Sequence, residues 1–67
     1  MKLIYTKQKI DEIKNNIYFS DEEEKVFDLW LRDTSVVETS MKLNISTATV
    51  IRRRKSILNK INLIKIV

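Results

Sequence analysis

The side chains of this 67-residue chain that could do chemistry are chiefly its lysines and arginines, and these are spread unevenly along the sequence. Residues 41–67 carry seven of them and no Asp or Glu, and residues 52–55 form the unbroken run RRRK. Residues 20–40 carry a net charge of −5 and residues 1–19 one of +2, which gives the chain its net +4. An acid-free stretch of this length is typical of a surface that binds a polyanion. We therefore expect contact with a nucleic acid, and the alternative is a solvated cationic face that pairs with the acidic middle segment.

The residue types that the sequence lacks exclude most other chemistry. It has no His, Cys, Gly or Pro. Without His and Cys there is no imidazole general base, no thiol nucleophile and no thiolate metal ligand. Without Gly there is no loop of the kind that cradles phosphates in nucleotide-binding proteins. We therefore expect no enzymatic activity, no metal, no cofactor and no small-molecule ligand.

The same composition favours an all-α fold, because tight β-hairpin turns usually require Gly or Pro. We expect a small helical bundle. Short apolar stretches at residues 3–5 and 63–67 leave three alternatives open: paired terminal strands, extensions of the flanking helices, or contact with a second copy. No apolar run approaches the roughly 18 residues that cross a bilayer, so we expect a cytoplasmic protein without membrane contact.

Two capping boxes predict where the helices of the acidic segment begin. Ser20 and Glu23 have the spacing at which a hydroxyl and a carboxylate each bind a free backbone N–H group. An apolar stripe follows and predicts a helix that ends near residues 32–33. Ser35 and Glu38 repeat the same spacing at the start of a short second helix.

The second and third predicted helices, at residues 36–43 and 47–61, form a helix-turn-helix. Asn44 ends the first of them, since Asn tolerates the left-handed conformation. Ser40 supplies a small side chain where the two helices approach. Apolar side chains are also required around the turn, and they are present as Leu43, Ile45 and Val50.

The N-terminal segment predicts one more helix. Thr6 can cap a helix over residues 7–16, and an apolar stripe follows at Ile10, Ile13 and Ile17. This stripe is interpreted either as part of the core or as the seam of a homodimer.

Residues 19–61 resemble the LuxR/GerE-type helix-turn-helix domain, which is found in bacterial response regulators and in small free-standing regulators. The resemblance is carried by Ser20, Glu23, Lys25-Val26-Phe27, Leu29, Leu31, Ser35, Glu38, Leu43, Ile45-Ser46, Thr49-Val50, Ile57 and Lys60-Ile61. The sequence departs from the family pattern at Asp33, Thr39 and Ser40, where the family usually has Gly, an apolar residue and Ala. It also has no counterpart of the family's fourth helix, which commonly holds dimer contacts.

In such folds the second helix of the motif lies in the DNA major groove. Helical spacing from Val50 and Ile57 gives that helix an outward face, and the resemblance implies base contacts from Thr47, Ala48, Ile51, Arg52 and Lys55. Arg52 is expected to read guanine, while Ile51 and Ala48 are expected to contact thymine methyl groups. Four flanking residues are expected to bind phosphates: Lys42, Thr49, Arg53 and Ser56.

These observations predict three segments: an N-terminal extension at 1–18 that carries the dimerisation stripe, a helix-turn-helix domain at 19–61 and an apolar tail at 62–67. The expected function is that of a sequence-specific double-stranded DNA-binding transcription regulator of bacterial or phage type, acting as a homodimer. The alternatives are a protein-interaction module that binds RNA polymerase, a sigma factor or another regulator, and an accessory DNA-bending protein of a mobile element.

Overall fold

The computed structural model describes residues 5–64, and within that range the chain is all-α, with four helices and no strand. They are α1 (Lys7–Asn16), α2 (Asp21–Leu31), α3 (Val36–Leu43) and α4 (Thr47–Ile64). The predicted all-α bundle is therefore confirmed. Within the described range no helix has the length and apolar character needed to span a bilayer.

The first helix, α1, begins at the predicted cap, where the Thr6 hydroxyl accepts a hydrogen bond from the Lys9 N–H at 3.2 Å. Its apolar stripe turns inward: Ile13 is fully buried, and Ile10 and Ile17 pack against the same core. Ile13 has no surface left to offer a partner, so it does not fit the predicted dimer seam and belongs to the core, as the alternative interpretation states. Ile10 and Ile17 pack against that core but are only partly buried, and their part in a dimer stays a prediction.

The second helix, α2, begins with the predicted capping box. The Ser20 hydroxyl accepts from the Glu23 N–H at 3.3 Å, and the Glu23 carboxylate accepts from the Ser20 N–H at 3.0 Å. Further along, Val26, Phe27 and Trp30 are buried. One face of α2 thus supplies much of the core.

The turn after α2 contains a non-glycine residue in the left-handed region. Asp33 has a φ of 64° at the position where the resembled family usually has Gly. Asp occupies this region at a smaller steric cost than most residues, because its short side chain is tolerated there. The turn is closed by hydrogen bonds from the Asp33 and Thr34 N–H groups to the Trp30 and Leu29 carbonyls.

The two helices predicted at residues 36–43 and 47–61 are present as α3 and α4, joined by the predicted short turn. The Ser35 hydroxyl caps α3, and Asn44 ends it with a φ of 56° in the left-handed region. The turn is held by a 3.0 Å hydrogen bond from the Ile45 N–H to the Ser40 carbonyl. Ser40 is buried at this approach, which is the role that its small size predicts.

The core joins all four helices. Ile13 of α1, Phe27 of α2 and Ile57 of α4 belong to one buried cluster, and the partly buried Leu43 of α3 packs against it. The Phe19 and Phe27 rings lie 5.2 Å apart. The N-terminal segment described here is thus packed onto the helix-turn-helix rather than separate from it. At the other end α4 continues past the predicted residue 61 to Ile64, so the described part of the C-terminal apolar stretch extends the helix, which is one of its three alternatives. Residues 1–4 and 65–67 lie outside the described range, where the alternatives are not tested.

The hydroxyl of Thr39 is buried in α3 without a hydrogen-bond partner. We expect Thr39→Val to raise the free energy of unfolding by about 1 kcal/mol, since it replaces an unsatisfied polar atom by a methyl group of similar shape. Urea denaturation measures this effect. Thr47→Val, at an exposed site, is the control and should change stability by less than about 0.5 kcal/mol. A less stable Thr39→Val variant would contradict the expectation.

Candidate nucleic-acid interface

The outward face of α4 is formed by the residues predicted for base contact. All five are exposed, and they are Thr47, Ala48, Ile51, Arg52 and Lys55. The opposite face carries Val50 and Ile57, which are fully buried. Arg52 and Lys55 make no hydrogen bond or ion pair with any described residue, so both cationic groups are available to a ligand.

The start of α4 is fixed by the turn that precedes it. The Ser46 hydroxyl accepts from the Thr49 N–H at 3.1 Å and lies 2.8 Å from the Thr49 hydroxyl. The buried Val50 then anchors the first turn of the helix to the core. This combination sets the rotation of α4 about its own axis, and it therefore decides which side chains point outward.

Arg54 belongs to the inner side of α4 and not to the outward face. Its guanidinium lies 4.6 Å from the centre of the Trp30 ring, and its Nη2 atom donates a 2.8 Å hydrogen bond to the Thr34 carbonyl. Burial lowers the pKa of Arg54 from its usual value. We interpret Arg54 as a structural cation that joins α4 to the end of α2 through cation–π attraction and a backbone hydrogen bond.

A polar network joins the flank of α4 to the first turn of α2, and it is centred on Glu23. Glu23 is 6% exposed, and its carboxylate accepts hydrogen bonds of 2.6 Å from both Ser56 and Lys60. Burial by itself raises the pKa of Glu23, but the hydrogen bonds from Lys60, Ser56 and the Ser20 N–H outweigh it and hold that pKa at about 2. Glu23 therefore caps α2 and also fixes α4 against it.

The same network engages two of the four residues predicted to bind phosphates. Arg53 Nε donates to the Glu22 carboxylate at 2.5 Å, and Ser56 donates to Glu23. Arg53 also lies two positions after Ile51, which places it on nearly the opposite side of the helix. In the free chain the Arg53 Nε atom and the Ser56 hydroxyl are thus already engaged by the acids of α2, and their role in binding phosphates stays a prediction.

The other two predicted phosphate contacts remain compatible with the structure. Lys42 is exposed at the end of α3 and makes no ion pair with a described residue. Thr49 is half-buried in the first turn of α4, where it bonds to Ser46. Their role in binding phosphates stays a prediction.

Asn59 extends the outward face and was missed in the sequence analysis. It is exposed and lies four residues after Lys55, so it occupies the same side of α4 one turn further on. That spacing was the available signal. Its amide carries both donors and acceptors, so it can bind a base edge or a phosphate oxygen.

Several acidic side chains lie along α2. Asp21, Glu24, Lys25 and Asp28 line a shallow depression along α2, and Asp28 forms a 2.8 Å ion pair with Lys14 of α1. Within the range that the structure describes, no three carboxylates are grouped so that they could hold a metal ion. The cations of the outward face thus have no carboxylate on their own helix to neutralise them.

Comparison with known proteins assigns no family to this chain. No family model matches it, and no curated protein and no solved structure is significantly similar to it. Its function is therefore argued from its own residues and their geometry.

Proposed function

We propose that this protein is a sequence-specific double-stranded DNA-binding transcription regulator that inserts α4 into the major groove. The observation that carries the proposal is the outward face of α4, which is exposed, holds the unpaired cations Arg52 and Lys55, and has no carboxylate on its helix. An α-helix fits the width of the major groove, where base edges present distinct donor and acceptor patterns. The resemblance of residues 19–61 to the LuxR/GerE-type domain supports the same arrangement.

Two kinds of contact follow from the positions of the side chains. Arg52 donates two hydrogen bonds to the O6 and N7 atoms of a guanine and so contributes specificity. Lys42 and the N-terminus of α4 lie toward the DNA backbone and bind phosphates, which contributes affinity without sequence preference. A homodimer on two half-sites is part of the proposal, and the buried Ile13 is not available to its interface.

The proposal is tested by selection from a random pool of duplex DNA at ~150 mM salt, followed by measurement of the mass of the recovered complex. Enrichment of a palindrome with half-sites about one helical turn apart supports a dimeric regulator. Enrichment of a non-palindromic motif with one protein bound supports a monomer. Failure to enrich any sequence contradicts the proposal.

Arg52→Ala is expected to weaken binding to the selected site by about 1–3 kcal/mol and to relax the preference at one base position. Titration of the selected duplex and of a scrambled duplex measures both effects. Lys25→Ala removes the same charge from the exposed side of α2, and we expect it to leave the preference unchanged. An equal loss on both duplexes for Arg52→Ala would show that Arg52 contacts phosphate alone.

One observation favours a second candidate, a protein-interaction module for RNA polymerase, a sigma factor or another regulator. Val37 and Met41 are 60% and 75% exposed and lie one turn apart on α3. Salt dependence separates the two functions, because log K for DNA falls by about 0.9 per phosphate contact for each tenfold rise in salt. An affinity for a protein partner that is the same at low and at high salt would favour the second candidate.

A further inference from the structure

The outward face of α4 contains one large apolar side chain among its polar and cationic neighbours. Ile51 is 56% exposed, and no part of the core uses its outer surface. Arg52 follows it directly, and Lys55 lies one turn further on. An exposed isoleucine at this point has nothing to pack against in the free chain, whereas the cations around it select a polyanionic ligand.

The residues that precede Ile51 on the same side of α4 add methyl groups to its surroundings. Ala48 and Thr47 precede it by three and four positions, so the three side chains form one ridge on α4. The methyl groups of Thr47, Ala48 and Ile51 thus lie together, while the donors of Arg52 lie to one side of them and the Lys55 ammonium group lies one turn further along the same row. The Ile51 side chain at the centre of this row can pack against an apolar group but offers no hydrogen bond.

We infer that Ile51 recognises the C5-methyl group of a pyrimidine in the major groove and that this methyl group, rather than the identity of the base, determines the preference at that position. The inference rests on the proposed function and specifies the ligand of the same face. Among the groups that duplex DNA displays in the major groove, the C5-methyl group is the apolar one. Ile51 has no polar atom with which to distinguish the O4 of thymine from the N4 amino group of cytosine.

One consequence concerns modified DNA. A 5-methylcytosine carries its methyl group at the same ring position as thymine, so it satisfies Ile51 equally well. Binding at this position is therefore sensitive to cytosine methylation: 5-methylcytosine substitutes for thymine, and unmodified cytosine does not.

The test uses duplexes of the selected site in which each thymine is replaced singly by deoxyuridine, which removes the methyl group and keeps the base pair. At one position we expect affinity to fall about fourfold, which corresponds to one methyl group returned to water. The duplex with cytosine at that position should bind about as weakly as the duplex with deoxyuridine. The duplex with 5-methylcytosine there should recover the affinity of the thymine duplex.

Two variants assign the effect to Ile51. Ile51→Ala should bind the thymine and deoxyuridine duplexes equally, and the substitution lies at an exposed site that the fold does not need. Arg52→Ala is the matched control, because it should weaken both duplexes and preserve their ratio.

The outcomes separate the inference from the function on which it rests. Sequence-specific binding without a deoxyuridine effect at any position would overturn the inference and leave the proposed function intact. A thymine-to-deoxyuridine ratio that persists in Ile51→Ala would overturn it as well, since another residue would then read the methyl group. Absence of sequence-specific binding would overturn the proposed function itself.

Discussion

Replacing Ile13 by Ala will lower the free energy of unfolding by about 2–5 kcal/mol. Ile13 has no exposed surface and packs in the same cluster as Phe27 and Ile57, so truncation leaves a cavity between α1 and the helix-turn-helix. A chain of this length is expected to have a total stability of only about 3–10 kcal/mol. The loss is therefore large enough to unfold much of the population at moderate urea concentrations, and urea denaturation followed by circular dichroism measures it.

The control for Ile13 is Val37→Ala, which truncates a branched apolar side chain at a 60% exposed site on α3. We expect it to change stability by less than about 0.5 kcal/mol. Sedimentation of both variants distinguishes the two interpretations of the α1 stripe. If Ile13→Ala kept the stability of the parent but lost self-association, the stripe would be a dimer seam and the packing of α1 described here would be contradicted.

The second large effect is a loss of stability in acid that depends on Glu23. Its pKa is held at about 2 in the folded chain, compared with 4.5 for the ordinary side chain. As the pH falls, Glu23 therefore takes up a proton in the unfolded chain before it does so in the folded chain. Its contribution to the free energy of unfolding is thus present above about pH 4.5 and is lost as the pH falls toward 2. The difference between the two pKa values corresponds to about 3 kcal/mol in the free energy of unfolding. Urea denaturation at a series of pH values across that range measures it.

Glu23→Gln assigns this pH dependence to one residue. The amide keeps the shape of the side chain and cannot ionise, so the variant should be less stable than the parent at pH 7 and should lose less stability between pH 4.5 and 2. Glu24→Gln, at an exposed position in the same helical turn, should keep the dependence of the parent. Equal slopes for the parent and Glu23→Gln would refute the role of the network between α2 and α4.

The positions of the helices could be predicted from the sequence because the signals that begin and end them are local. Thr6, Ser20 and Ser35 each bind the N–H group three residues ahead, and Asn44 adopts its left-handed conformation within the turn itself. The end of α4 was placed too early, at residue 61 rather than Ile64. No Gly or Pro follows residue 61, and Asn62, a residue type that could end a helix as Asn44 does, lies within α4 instead.

The outward face of the candidate interface was also predictable. Once Val50 and Ile57 are assigned to the core, the helical period places Ile51, Arg52 and Lys55 on the other side, where the structure has them. Its use as a DNA-binding surface remains a proposal. The sequence by itself thus determined which side chains share a face of α4.

Only the tertiary structure decided which groups the other helix faces contact. The periodicity of Ile10, Ile13 and Ile17 showed that α1 has an apolar face, but the same stripe suits a core and a dimer seam equally. Arg53 looked like a free cation until Glu22, 31 residues earlier in the chain, was found beside it. Helical periodicity comes from contacts three or four residues apart, whereas these partners are brought together by the packing of α1 and α2 against α4. The spacing of the residues therefore indicated the helix face on which each side chain lies. The fold alone decided whether that face contacts a core residue, a carboxylate or solvent.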